Sequence, residues 1–119
     1  MNEKISSYKD LKMWHKAKDF AVHVYKTTEQ FPREEQYGLT SQLRRASVSV
    51  ASNIAEGFRR RSAKEKIQFL RISYGSGAEI ETQLIISREL GYIDNIHYEK
   101  LISDLEEIMK IINVVINKL

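Results

Sequence analysis

Cysteine is absent from this chain of 119 residues, which excludes disulfides and thiolate metal sites. Proline occurs once, at Pro32, and glycine five times. So few turn formers leave little room for many short strands and favour long helices. No apolar run approaches the ~20 residues that span a bilayer, and the opening MNEKISSYKDLK lacks the apolar core of a signal peptide. The expectation is a cytoplasmic protein with no membrane partner. Histidine is scarce too: His15, His23 and His97 are all there are. The first two are eight apart, not the i, i+4 spacing that puts two ligands on one helix face. A di-iron bundle needs a Glu-x-x-His motif from each of two helices and further carboxylates. Only a distorted echo, Asp94 to His97, is present. No Gly-rich phosphate loop or nucleophile elbow occurs. No metal, no cofactor and no enzymatic activity are therefore expected.

What is present is ordinary for a globular protein with one core: 42% hydrophobic and 29% charged residues. The net charge of +3 is unevenly spread. Residues 1–66 carry 14 Lys and Arg against 8 Asp and Glu, and residues 67–119 carry 5 against 8. Such asymmetry suits a nucleic-acid surface, complementary subunit contacts or plain solvation equally well.

The organising stretch is Gly38 to Arg61, GLTSQLRRASVSVASNIAEGFRRR. Leu39, Leu43, Ala46, Val50, Ile54 and Gly57 recur at steps of three and four, a helical stripe. Val48, Ala51, Ala55 and Phe58 form a second stripe beside it, and Ser41, Ser47, Ser49 and Ser52 fill the gaps. Apolar or small over most of its circumference, this reads as a central packing helix of residues 38–60. A first helix is predicted over about 10–30, with Asp10 as its cap or in its first turn, and ended by Phe31-Pro32. Its buried face is Leu11, Trp14, Ala17, Ala21, Val24, Thr28 and Phe31, with Phe20 and Tyr25 beside it. Residues 1–7 are expected to fray. Ser62-Ala63-Lys64-Glu65 reads as a capping box opening a third helix over 63–90, which Gly91 stops. Ile67, Leu70, Tyr74, Ala78, Leu84 and Ile85 are its expected core stripe. The glycines in its middle, Gly75 and Gly77, imply a close helix–helix approach. Asp94 caps a fourth helix over 95–118, with an unbroken seam of Tyr98, Leu101, Leu105, Ile108, Ile112, Val115 and Leu119. Ile102, Met109 and Ile116 widen that seam. Four helices with three short links predict one all-α domain over residues 1–119, an antiparallel up-down-up-down four-helix bundle. The second stripe of the central helix, and Ile111 and Val114 on the flank of the last, exceed what one small bundle buries. The surplus predicts an oligomer.

Two groups of polar residues carry candidate chemistry. Arg44, Arg45, Asn53, Glu56, Glu79 and Glu81 lie near the apolar stripes, Glu81 at a core-facing angle between Tyr74 and Leu84. Carboxylates placed there need cations or hydrogen bonds, and without a histidine nearby the group reads as a structural network, not an acid–base pair. Arg59, Arg60, Arg61, Lys64 and Lys66 put five cations in eight residues beside a helix N-terminus, where free N–H groups and the positive dipole end favour phosphate. Lys12 and Lys16 are outer contributors. No aromatic residue interleaves with this patch, so contacts to backbone phosphates are expected and base stacking is not.

YKDLKMWHKA, YGLTSQLRRASVSVASNIAEG, QFLRISYGSGAEIETQL and ELGYI together resemble the bacterial four-helix family of 23S rRNA intervening-sequence proteins, over about residues 8–93. The resemblance implies a four-helix protomer in a ring, typically a homopentamer. The chain is also similar to the accessory variability protein of diversity-generating retroelements, a basic pentameric barrel that binds nucleic acid and a reverse transcriptase. Ala51 stands where the family often has proline, which favours a straighter central helix; Gly77 replaces a larger apolar residue. The resulting expectation is a non-enzymatic homo-oligomer that binds RNA or DNA through phosphates. The alternative is an interaction scaffold or adaptor for a nucleic-acid-processing enzyme, and a hydrolase or nuclease would need a constellation that is not in the sequence.

Overall fold

A computed structural model describes residues 7–119. Among them are four α-helices and no strand: α1 (Lys12–Thr28), α2 (Leu39–Arg59), α3 (Ala63–Glu89) and α4 (Asn95–Lys118). Single 3-10 turns at Tyr8–Asp10 and Arg33–Glu35 precede α1 and α2. Each helix packs on its neighbours in sequence and α1 closes on α4, in a body of 49 × 26 × 21 Å. No helix is long and apolar enough to cross a membrane, among the described residues.

The ends of the helices follow local chemistry, with some departures from expectation. Asp10 does not cap α1. It belongs to the preceding 3-10 turn, which Ser7 caps by accepting from the Lys9 amide at 3.2 Å. Of the stretch expected to fray, only Ser7 lies among the described residues. The N-cap of α1 is Leu11, with no side-chain bond. Glu35, which had no assigned role, accepts from the Leu39 amide at 3.1 Å and so caps α2 from four residues upstream. Ser62 accepts from the Glu65 amide at 3.1 Å, the forward half of the expected capping box. Asp94 accepts from the His97 amide at 2.8 Å. Gly91, at φ +78°, occupies the left-handed position that ends α3. The Tyr92 amide reaches the Ser87 carbonyl and the Gly91 amide the Arg88 carbonyl, both at 2.9 Å, the paired closure of a Schellman motif.

The core is formed by Met13, Ala17, Phe20 and Val24 of α1, Leu43, Ala46, Val50 and Ile54 of α2, Leu70, Ile80 and Leu84 of α3, and Tyr98 to Ile112 of α4 at the expected seam positions. Three expectations need correction. On α1 the buried face is rotated toward Met13 and Phe20: Leu11 and Trp14 are only partly buried, and Tyr25 is 40% exposed. On α3, Tyr74 and Ala78 face solvent, while Ser73, Ser76, Gly77, Ile80, Gln83 and Ser87 are buried. On α4 the seam loosens at its end, with Val115 half-buried and Leu119 exposed.

The α3 result has a clear cause. Its face toward α2 is made of small residues, which let the two backbones come close. A Cβ added to Gly57 would lie 3.2 Å from the Phe69 Cβ. The buried hydroxyls find acceptors at short range: Ser73 donates to the Val50 carbonyl at 2.9 Å, Ser47 to the Arg44 carbonyl at 3.0 Å, and Ser49 and Ser76 share a bond of 2.9 Å. Satisfied in this way, serine is inexpensive to bury. Gly77 faces α4 instead, and the Met109 thioether occupies the space its side chain would take. Methionine's flexibility suits that gap-filling role. α2 is unbroken through Ala51.

Candidate nucleic-acid interface

α2 ends where Gly57 and Phe58 hand over to arginine. Arg60 is the extended C-cap, its amide bonded to the Gly57 carbonyl at 3.1 Å, and Ser62 is already the extended N-cap of α3. The reversal between the two longest-contacting helices is thus only three residues, Arg60-Arg61-Ser62, and it holds the basic run on an exposed corner.

Within that corner the cations divide by role. Arg59 lies over the Tyr8 ring at 5.5 Å. Arg60 bridges to Glu56 at 2.9 Å and lies over the Phe69 ring at 4.7 Å. Lys66 is partly buried; its ammonium donates to the Phe58 carbonyl at 2.9 Å and so satisfies the C-terminal end of α2. Arg61 and Lys64 are exposed and form no ion pair among the described residues. Of the outer contributors, Lys12 is exposed at the first residue of α1. Lys16 instead bridges to Glu107 of α4 at 2.9 Å, and its ammonium holds the Glu107 carboxyl below the usual carboxylate range. The Arg59–Tyr8 contact brings the start of the described chain to the α2–α3 corner, so Lys12 joins that end of the bundle and Lys16 turns toward α4.

Aromatic rings do interleave with the patch, contrary to the sequence expectation. Phe58 and Phe69 flank the reversal, the Lys66 ammonium lying 5.5 Å from the Phe58 ring centre, and Tyr8 arrives from outside α1. Phe58 was adjacent in sequence and could have been counted. Phe69 and Tyr8 meet the arginines only through folding.

The second polar group separates into smaller units. Arg45 reaches Glu79 at 3.2 Å across the α2–α3 surface. Arg44 donates to the Thr28 hydroxyl at 2.9 Å and the Tyr25 carbonyl at 3.2 Å, tying α2 to the end of α1, and lies over the Tyr25 ring at 4.7 Å. Asn53 donates to the carbonyl and hydroxyl of Ser49 within its own helix. Glu56 belongs to Arg60, and Glu81 is exposed, away from the core-facing angle its position suggested. Among the described residues no three His, Cys, Asp or Glu side chains are grouped to hold a metal ion.

A solved structure from Bacteroides thetaiotaomicron, described as a protein of unknown function from the S23 ribosomal protein family, is similar to this chain. It is 26% identical, superposes with a TM-score of 0.79, and the match covers 87% of this chain and 97% of that one. No curated protein matches. Residues 9–114 match the model of the family described as 23S rRNA-intervening sequence protein, which points to no catalytic family. By that match, across nearly all of its helical length, the chain belongs to the 23S rRNA-intervening sequence protein family.

Proposed function

We propose that this protein is a non-enzymatic cytoplasmic homo-oligomer that binds RNA or DNA through backbone phosphates at the α2–α3 corner. One observation carries the reading: Arg61 and Lys64 stand exposed beside Arg59 and Arg60 at the N-terminus of a 27-residue helix. Guanidinium forks, an ammonium and the positive end of the helix dipole converge there on a place suited to a phosphate. The protomer is read as an up-down-up-down bundle, because contacts that climb one helix descend the next: Gln42 with Gln83, Arg45 with Glu79, Ser49 with Ser76, Val50 with Ser73. A ring of such protomers, a pentamer on the family resemblance, would repeat the corner at each subunit and raise a modest affinity by avidity.

The test is binding of short labelled RNA and DNA across a salt series. Replacing Arg59, Arg60 and Arg61 with Ser should weaken binding about tenfold or more at low salt and flatten the salt slope by about two units. Retention of wild-type affinity and slope by that variant would remove the corner from consideration. A second reading, an adaptor for a nucleic-acid-processing protein, is favoured by the pairing of Arg60, Lys16 and Lys66 within the chain, which leaves fewer cations for phosphate. It expects a partner whose capture survives nuclease treatment.

A further inference from the structure

Beside the basic corner, α1 and α2 leave an open groove of about 650 Å³. The second stripe of α2 borders it through Val48, Ala51 and Ala55, so this is where part of the surplus apolar surface lies. Three aromatic side chains also line it: Tyr8 and Trp14 at one end, Tyr25 at the other, with Lys26, and Lys18 in its 2.8 Å bridge to Asp19, on the α1 side. Tyr8 and Trp14 meet edge to face, ring centres 5.2 Å apart. Two of the three rings already carry a cation, Arg59 at Tyr8 and Arg44 at Tyr25. Trp14 and Tyr25 are eleven residues apart on one helix, about 16 Å of rise.

An apolar trough with spaced aromatic planes and a cationic border has the composition that receives an unpaired strand. Bases offer planar faces that gain by leaving water against a ring, and each phosphate between them needs a cation within reach. A duplex hides its base faces in its own stack and presents phosphates, sugars and base edges, so the rings find no face to stack on. We propose that the α1–α2 groove is a stacking track for single-stranded RNA or DNA, entered from the arginine corner. The inference rests on the phosphate-binding reading above and adds a preference for unpaired over paired nucleic acid, with little dependence on base sequence.

Trp14 is the chain's single tryptophan, so intrinsic fluorescence reads the groove directly. The full-length protein is titrated with labelled oligothymidylate and oligouridylate, and with a labelled duplex of equal length, following probe anisotropy and Trp14 emission together. The expected result is about tenfold tighter binding of the single strands, with quenching of Trp14 that the duplex does not produce. Tyr25→Ala should weaken single-strand binding about tenfold and leave duplex binding unchanged, while Tyr25→Phe, which keeps the ring, retains both. Equal binding of the two forms without a change in Trp14 emission overturns the stacking track and leaves the phosphate corner standing. Failure to bind either form overturns both. A Trp14 signal that follows protein concentration and ignores nucleic acid would instead place a second copy of the chain in the groove, and would also refute the proposal.

Discussion

Two glycines in α3, two positions apart, do different work. A methyl group added to Gly75 would meet no atom within 4 Å, and the residue is exposed. A methyl group added to Gly77 would land on the Met109 side chain. Gly75→Ala should therefore stabilise the protein by about 1 kcal/mol, the full helix-propensity gain. Gly77→Ala has the same propensity gain but must displace the thioether, so its net effect should be smaller or reversed. Denaturant midpoints of the two variants measure the difference, and equal stabilisation would mean that Met109 repacks freely. The sequence marked both glycines as a weak spot needing close approach. Gly77 is inside and Gly75 outside, because the two differ by about 200° around the helix and only packing decides between them; at Gly77 the neighbour is the Met109 side chain and not a closely approaching backbone. The same limit explains Tyr74 and Ile80. Spacing from Leu70 favoured the former as core, yet the face that packs on α2 includes Ser73 and Ser76, whose burial no hydropathy pattern reports.

At the scale of the element, the helix ends were the more legible features, since capping is a local bond. Ser62, Asp94 and Gly91 act as their residue types suggested. Glu35 was missed because its bond to the Leu39 amide reaches across the 3-10 turn, and its other oxygen accepts from the Tyr92 hydroxyl at 3.1 Å. That second bond joins the α1–α2 link to the α3–α4 link and raises the Tyr92 pKa. At the start of α4, the His97 backbone amide, and then its ring, hold the Asp94 carboxyl below its usual range. A carboxylate depressed on folding stabilises the native state above its unfolded pKa and loses that contribution as pH falls through the folded value. The window is thus below about pH 4. Asp94→Asn keeps an N-cap oxygen without a titration, so the acid limb of stability against pH should become shallower. It should not vanish, because Asp19 beside Lys18 and Glu107 beside Lys16 are depressed as well. An acid limb identical to wild type would show that Asp94 contributes only as an uncharged cap.

At the scale of the whole molecule, part of the outer apolar surface lies on the flank of α4. Ile111 is half-buried and Val114 is 44% exposed on the flank of α4, apart from the α1–α2 groove. If that flank is the subunit contact, Ile111→Asp should reduce the mass in solution to that of one chain while the helical circular dichroism persists. Val50 is 1% exposed in the core, and Val50→Asp should unfold the protomer itself, a buried unpaired charge costing several kcal/mol. An Ile111→Asp protein that keeps its native mass would move the contact elsewhere.

The sequence alone determined that the chain is helical, where its four helices lie to within about two residues, and that α2 and α4 present core stripes. These depend on periodicity, caps and breakers, which act over a few neighbouring residues. It also located the basic run, since charge is written in composition. Tertiary structure decided which face of α1 and α3 is inside; on α3 small residues are buried by backbone proximity and not by their own hydrophobicity. It decided as well which cations at the corner are already engaged, and that aromatic rings stand among them. Arg59 meets Tyr8 and Arg60 meets Phe69 only when the chain has turned back on itself, and no local rule measures that distance.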